Sequence, residues 1–271
     1  MKRFSGLLFS ILVLSTLVSN GAEPLIKPAI PALYGQEVTY ELDGVVMKGY
    51  AIYNATLTGP LPVVLVVPEW WGNNDYARQR ATMLAQQGYF AFAVDMYGDG
   101  KIAETPQQAQ EFSSVLYKNP ALALSRLKAA LKRAGEFPQA DITKVAAIGY
   151  CFGGSMVLNA AKMGMDLKGV VSFHGGLAGV PATKGSVKGK ILVCHGGADT
   201  FVPEADIVKF RKNLDTEKVA YTFTVYPDAT HAFTNPEATE IGTKFNMPIR
   251  YNPEADSKSW DEMLAFLKGL F

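Results

Sequence analysis

Apolar and polar positions alternate along the chain in two distinct periods. Short apolar runs at residues 62–67, 89–94, 145–149, 169–173, 191–195 and 221–226, bounded by glycine, proline or polar residues, have the length of buried strands. Between them lie segments with apolar residues at helical spacing. Residues 76–87 form one, stopped by Gly88. Asn119-Pro120 sets a capping side chain ahead of a proline at the first helical position and opens another, running to about Ala134. Further helices are expected after Gly153, after Pro203 and from about Pro253 to the end. Upstream, residues 38–42 and 45–53 flank Asp43-Gly44, a two-residue turn signal that predicts an antiparallel hairpin. Strands apolar on both faces, alternating with helices, predict one α/β domain: a mostly parallel central sheet, helices on both faces and an N-terminal antiparallel hairpin.

The first residues follow another pattern. Lys2 and Arg3 precede an apolar run over residues 4–18, followed by the small residues Ser19, Gly21 and Ala22, the arrangement of a secretory signal. That run is shorter than the roughly 20 residues needed to span a bilayer, and no cysteine near the cleavage region offers a lipid anchor. The expectation is a signal peptide over residues 1–22, an α/β domain over 23–271, and an exported chain, periplasmic or secreted, with no membrane attachment after signal removal. The mature chain is expected to be a monomer. The 26 Lys and Arg against 25 Asp and Glu are scattered, giving a formal charge of +1 and no basic face for nucleic acid. A small neutral or weakly charged molecule is the better partner.

Parallel sheets bind ligands beyond the carboxyl ends of their strands. Glu69-Trp70-Trp71, Asp95-Met96-Tyr97, Cys151, His174, Asp199 and His231 all lie there. Gly149-Tyr150-Cys151-Phe152-Gly153-Gly154 has the strand–turn–helix setting in which hydrolases present a serine at G-x-S-x-G, with cysteine in the serine's place. The glycines permit the tight turn and close helix–strand packing that expose the central side chain. A cysteine nucleophile needs a base, and the base an orienting group. Of three histidines, His231 follows the last strand, and Asp199 follows the strand before it. The order nucleophile, acid, base is that of α/β-hydrolases. His195 ends a strand and is expected to hydrogen-bond locally; His174 either does the same or lines the pocket. No spacing of histidine, cysteine or carboxylate makes a metal site, and no glycine-rich segment matches a phosphate loop or dinucleotide fingerprint.

These motifs, together with Val67-Pro68-Glu69-Trp70-Trp71-Gly72, Gly88-Tyr89-Phe90-Ala91, Gly196-Gly197-Ala198-Asp199 and Thr230-His231-Ala232-Phe233, resemble those of the dienelactone hydrolase family over roughly residues 35–270. The resemblance implies an α/β-hydrolase fold that cleaves small esters or lactones without a cofactor, through an acyl-thioenzyme. Cys151 would be the nucleophile, His231 the general base and later acid, and Asp199 the carboxylate orienting it. Backbone N–H groups of Trp70 and Phe152 would form the oxyanion hole. Glu69 would contact the resting thiol and move on substrate binding; a rim ion pair is its plainer alternative. The family holds a substrate carboxylate with two arginines, and here the corresponding places carry Lys101 and Asn235, beside an apolar wall of Trp70, Trp71, Tyr97 and Phe233. Neutral substrates should therefore gain ground. In that fold the strand at 169–173 separates Cys151 from Cys194 by roughly 9–10 Å, at about 4.8 Å per strand, so both thiols are expected to be free. A peptide or thioester hydrolase on the same triad, or a binding protein that kept the fold, are the alternatives.

Overall fold

Each strand places its odd and even residues in different cores. Val63, Leu65 and Val67 pack into one apolar cluster while Val64 and Val66 pack into the other, and Ile191 and Val193 alternate likewise with Leu192 and Cys194. All are essentially inaccessible to solvent, as expected of a sheet covered on both faces. The computed structural model describes residues 32–271; the expected export signal, residues 1–22, lies outside them. Within them the chain runs β1 (Leu33–Leu42), β2 (Val45–Asn54), β3 (Leu61–Val67), α1 (Asp75–Gln86), β4 (Phe90–Ala93), α2 (Pro106–Lys118), α3 (Pro120–Ala134), β5 (Ala140–Tyr150), α4 (Phe152–Lys162), β6 (Gly169–Phe173), β7 (Lys190–Gly196), α5 (Glu204–Thr216), β8 (Tyr221–Tyr226), α6 (Ala238–Phe245) and α7 (Pro253–Lys268).

The strands form one sheet in the order β1-β2-β4-β3-β5-β6-β7-β8. β1 and β2 form the antiparallel hairpin around Asp43-Gly44, β2 pairs antiparallel with β4, and every pair from β4 onward is parallel. Helices α3, α4 and α5 feed the cluster on one face; α1 and α7 feed the other. This is the expected single α/β domain. Among the described residues no helix is long and apolar enough to cross a membrane.

Two helices were not expected from the sequence. Helix α2 begins at Thr105-Pro106, with the Thr105 side chain accepting from the Gln108 N–H. That signature is the one that marks α3, where Asn119 caps Leu122 ahead of Pro120. Helix α6 is only eight residues long and lies in the connection from His231 to α7.

Candidate active site

Five neighbouring loops converge at the carboxyl ends of β3, β5, β6, β7 and β8. They carry Glu69 to Trp71, Cys151, His174, Asp199 and His231 respectively. Between β5 and α4 the chain reverses on Cys151, whose backbone sits at φ 51°, ψ −115°, a conformation that L side chains rarely adopt. The neighbouring glycines are required by space. A Cβ on Gly149 would lie 2.2 Å from the Gly153 backbone, and one on Gly153 would lie 2.2 Å from the Val67 carbonyl oxygen. The turn holds Cys151 half-buried at the wall of a cavity of about 200 Å³.

His231 lines the same cavity. Its Nδ1–H donates to Asp199 Oδ2 at 2.8 Å, while Asp199 Oδ1 accepts from the Phe201 N–H at 2.9 Å, and the carboxylate is sealed from solvent. Burial alone would lower the imidazole's pKa, but the Cys151 sulfur beside it and the bond to Asp199 hold it well above the usual range. Among the described residues both cysteines are free, and Cys194 is buried, with burial pushing its thiol up.

Glu69 also lines the cavity yet is only 3% exposed. Its Oε2 accepts from Asn235 Nδ2 at 2.7 Å, and among the described residues Oε1 has no hydrogen-bond partner. Burial pushes its carboxyl from 4.5 up to about 7, against the opposing influence of the Asn235 bond and of the His231 and Arg80 charges. Among the described residues Glu69 forms no ion pair, so the plainer alternative of a rim ion pair is not seen there. Trp70 and Trp71 pack edge to face at 5.3 Å and both line the cavity.

Four residues expected at the pocket do other work. Lys101 is exposed and points to Asp99 at 3.4 Å. Asn235 is buried and spends its amide on Glu69 rather than on substrate. Tyr97 lies behind the wall, its hydroxyl donating to the Trp70 carbonyl at 2.9 Å and its ring against Phe152. Phe233 is fully enclosed beneath the site, packed on His174 and Tyr226. Among the described residues His195 Nδ1 is buried with no hydrogen-bond partner, so the expected local bond is not made there, and the ring rests on Phe223. Asp95, another strand-end carboxylate, is committed to backbone: it accepts from the N–H groups of Lys48, Tyr97, Gly98 and Gly100 and pins that loop.

Other parts of the cavity wall come from α2, from the Asp199 loop and from the chain after α6. Gln110, Ser113 and Tyr117 reach in from α2, Phe201 and Val202 from the loop after β7, and Met247 and Ile249 from the chain after α6. Among the described residues no lysine or arginine lines it. Beneath the site Arg80 is buried among the rings of Tyr76, Tyr150 and Trp260, paired with Asp256 at 2.7 Å and donating to the Thr234 carbonyl. Arg78 and Arg80 both lie in α1, and nothing in the local pattern marked Arg80 for burial.

Residues 47–271 match the family model described as the dienelactone hydrolase family. Among solved structures, one named m3DLH is 33% identical, with a TM-score of 0.84, covering 89% of this chain and 99% of its own. A dienelactone hydrolase-like promiscuous phosphotriesterase, P91, from metagenomic libraries is 32% identical, with a TM-score of 0.82, covering 88% and 99%. A Methylorubrum extorquens protein inferred to be a carboxymethylenebutenolidase is 31% identical over 65% of this chain; the match spans 64% of that relative's length.

Proposed function

Because the chain belongs to the dienelactone hydrolase family of ester-hydrolysing enzymes, we propose that it cleaves small uncharged esters or lactones with Cys151 as nucleophile. One arrangement carries this reading: a thiol on a strained strand-to-helix turn, facing an imidazole whose far nitrogen is bonded to a sealed carboxylate. His231 takes the thiol proton, and the thiolate attacks the carbonyl carbon. The resulting oxyanion accepts hydrogen bonds from the N–H groups of Phe152 and Trp70. Phe152 opens α4, where the first amides have no partner within the helix, and each such donor is worth about 3–4 kcal/mol in the transition state. His231 then returns its proton to the departing alkoxide. The acyl group stays on sulfur until a water, deprotonated by His231, releases the acid.

The substrate class rests on the lining of the cavity. Aromatic and aliphatic side chains surround the thiol, and both positions where a carboxylate clamp was sought are otherwise engaged, Lys101 by Asp99 and Asn235 by Glu69. We also propose, on the Lys2-Arg3 start and the apolar run that follows, that the chain acts outside the cytoplasm. Cell fractionation with mass measurement of the mature N-terminus tests it, and an uncleaved cytoplasmic chain overturns it.

The catalytic reading is tested with p-nitrophenyl acetate and a matched amide. Cys151→Ala and His231→Ala should each lose about a thousandfold or more in kcat/KM with the fold intact, since such groups act as a unit. Intact-protein mass during turnover should show an acetyl group on Cys151. Wild-type turnover by Cys151→Ala would overturn the assignment, and equal rates on the amide would move the reading to a peptidase.

A further inference from the structure

One buried titratable group touches both halves of the site and has no part in the reaction just described. His174 follows β6, has no solvent exposure, and is held at φ 40°. The backbone N–H of Cys151 donates to its Nδ1 at 3.1 Å, alongside the bond the same N–H makes to the Phe173 carbonyl at 3.0 Å. On the other side of the ring, Nε2 lies 2.7 Å from Thr234 Oγ1, and that hydroxyl lies 2.6 Å from Tyr76 Oη. Thr234 is three residues past His231, in the loop that carries the imidazole.

These bonds select one form of the ring. A backbone amide can only donate, so Nδ1 has to be the bare nitrogen and Nε2 carries the proton that goes to Thr234. A second proton on Nδ1 would set N–H against N–H and break the link to the nucleophile's turn. The surroundings oppose that proton as well: burial first, then the charges of His231 and Arg80, hold His174 well below its ordinary value. The other neighbours of the ring, Tyr150, Phe233 and the edge of His231 at 5.3 Å, bring no carboxylate to the face of the imidazole.

We propose that His174 is a positioning residue, a neutral strut that fixes the Cys151 turn and the His231 loop at one spacing. The inference rests on the catalytic reading above for its consequence in turnover, but the strut itself concerns only Cys151 and His231. The two loops leave different strands, β5 and β8, with β6 and β7 between them. Side-chain bonds through one rigid ring join them without relying on the sheet's twist. Loosening by about 1 Å at such a spacing can lower a rate by about a hundredfold.

The test uses His174→Leu, His174→Asn and Thr234→Val. Asn keeps an acceptor near the Nδ1 position; Leu fills the space with no acceptor; Val at 234 removes the far bond while leaving the ring. Ester kcat and KM are measured alongside the rate of Cys151 alkylation by iodoacetamide against pH, located by mass spectrometry. For His174→Leu, kcat should fall about 10- to 100-fold with KM within about twofold, and the alkylation profile should move because the thiol no longer meets its imidazole. His174→Asn should recover most of both, and Thr234→Val should lose several-fold in kcat. A merely structural histidine would leave the alkylation profile of the folded protein in place. His174→Leu, or Thr234→Val if Leu does not fold, with wild-type kcat and an unmoved profile would overturn the proposal. So would 15N shifts showing the proton on Nδ1. If no ester is cleaved by any form, alkylation alone still decides the strut, so its failure and that of the catalytic reading stay distinguishable.

Discussion

Glu69→Gln isolates the energetic consequence of burying a carboxyl in the pocket wall. In the folded protein Glu69 holds its proton up to about pH 7, whereas an ordinary glutamate releases it near 4.5. Between those values the folded state binds more protons than the unfolded chain, so stability falls as pH rises through the window. At about 1.4 kcal/mol per pH unit the full effect is about 3 kcal/mol, of which roughly 2–3 falls between pH 5 and 8. Glutamine can keep the Asn235 bond through its carbonyl oxygen but has nothing to titrate. Urea unfolding of both proteins at pH 5 and pH 8 should therefore show the variant gaining on wild type by roughly 2–3 kcal/mol as pH rises. Comparison with the variant removes the titrations of His174 and other groups common to both. A stability difference that changes by less than about 0.5 kcal/mol across that range would mean the carboxyl is ionised in the fold, and the argument from its burial would fail.

Gly153→Ala should prevent the turn from forming, because its Cβ would meet the Val67 and Pro68 carbonyl oxygens at 2.2 and 2.6 Å, backbone atoms with nowhere to go; a thermal midpoint near wild type would refute this. With no lysine or arginine among the described residues that line the cavity, a short neutral ester should be hydrolysed at least as well, by kcat/KM, as a carboxylate-bearing dienelactone, and a hundredfold preference for the latter would show a clamp built elsewhere. Asn235→Arg should bring no gain for the anion, since a guanidinium there meets Glu69. Thiol titration should find one reactive cysteine in the native protein and two after unfolding without reductant, given Cys151 half-buried and Cys194 enclosed; fewer than two in the unfolded chain would reveal a disulfide.

Period and punctuation along the chain were enough to specify the strands, the hairpin at Asp43-Gly44 and most helices, because strands covered on both faces must be apolar throughout and helix starts need caps. The elbow was legible for the same reason: three glycines around one cysteine are a local steric statement, and the distances at Gly149 and Gly153 bear it out. Asp199 and His231 could be proposed as a pair from chain order, though only the fold brings Nδ1 and Oδ2 to 2.8 Å. The pocket was a different matter. Tyr97, Phe233, Lys101 and Asn235 are close in sequence to site residues, but which way a side chain turns depends on what packs beside it, and that is decided by distant segments: α2 and the chain after α6 close the cavity, Trp70 claims the Tyr97 hydroxyl, and Glu69 claims Asn235. The strut through His174 joins positions 151, 174 and 234, whose contact no local pattern encodes. Burial of Arg80 and the raised pKa of Glu69 belong to the same class, since desolvation is a property of the assembled interior and not of any segment that enters it.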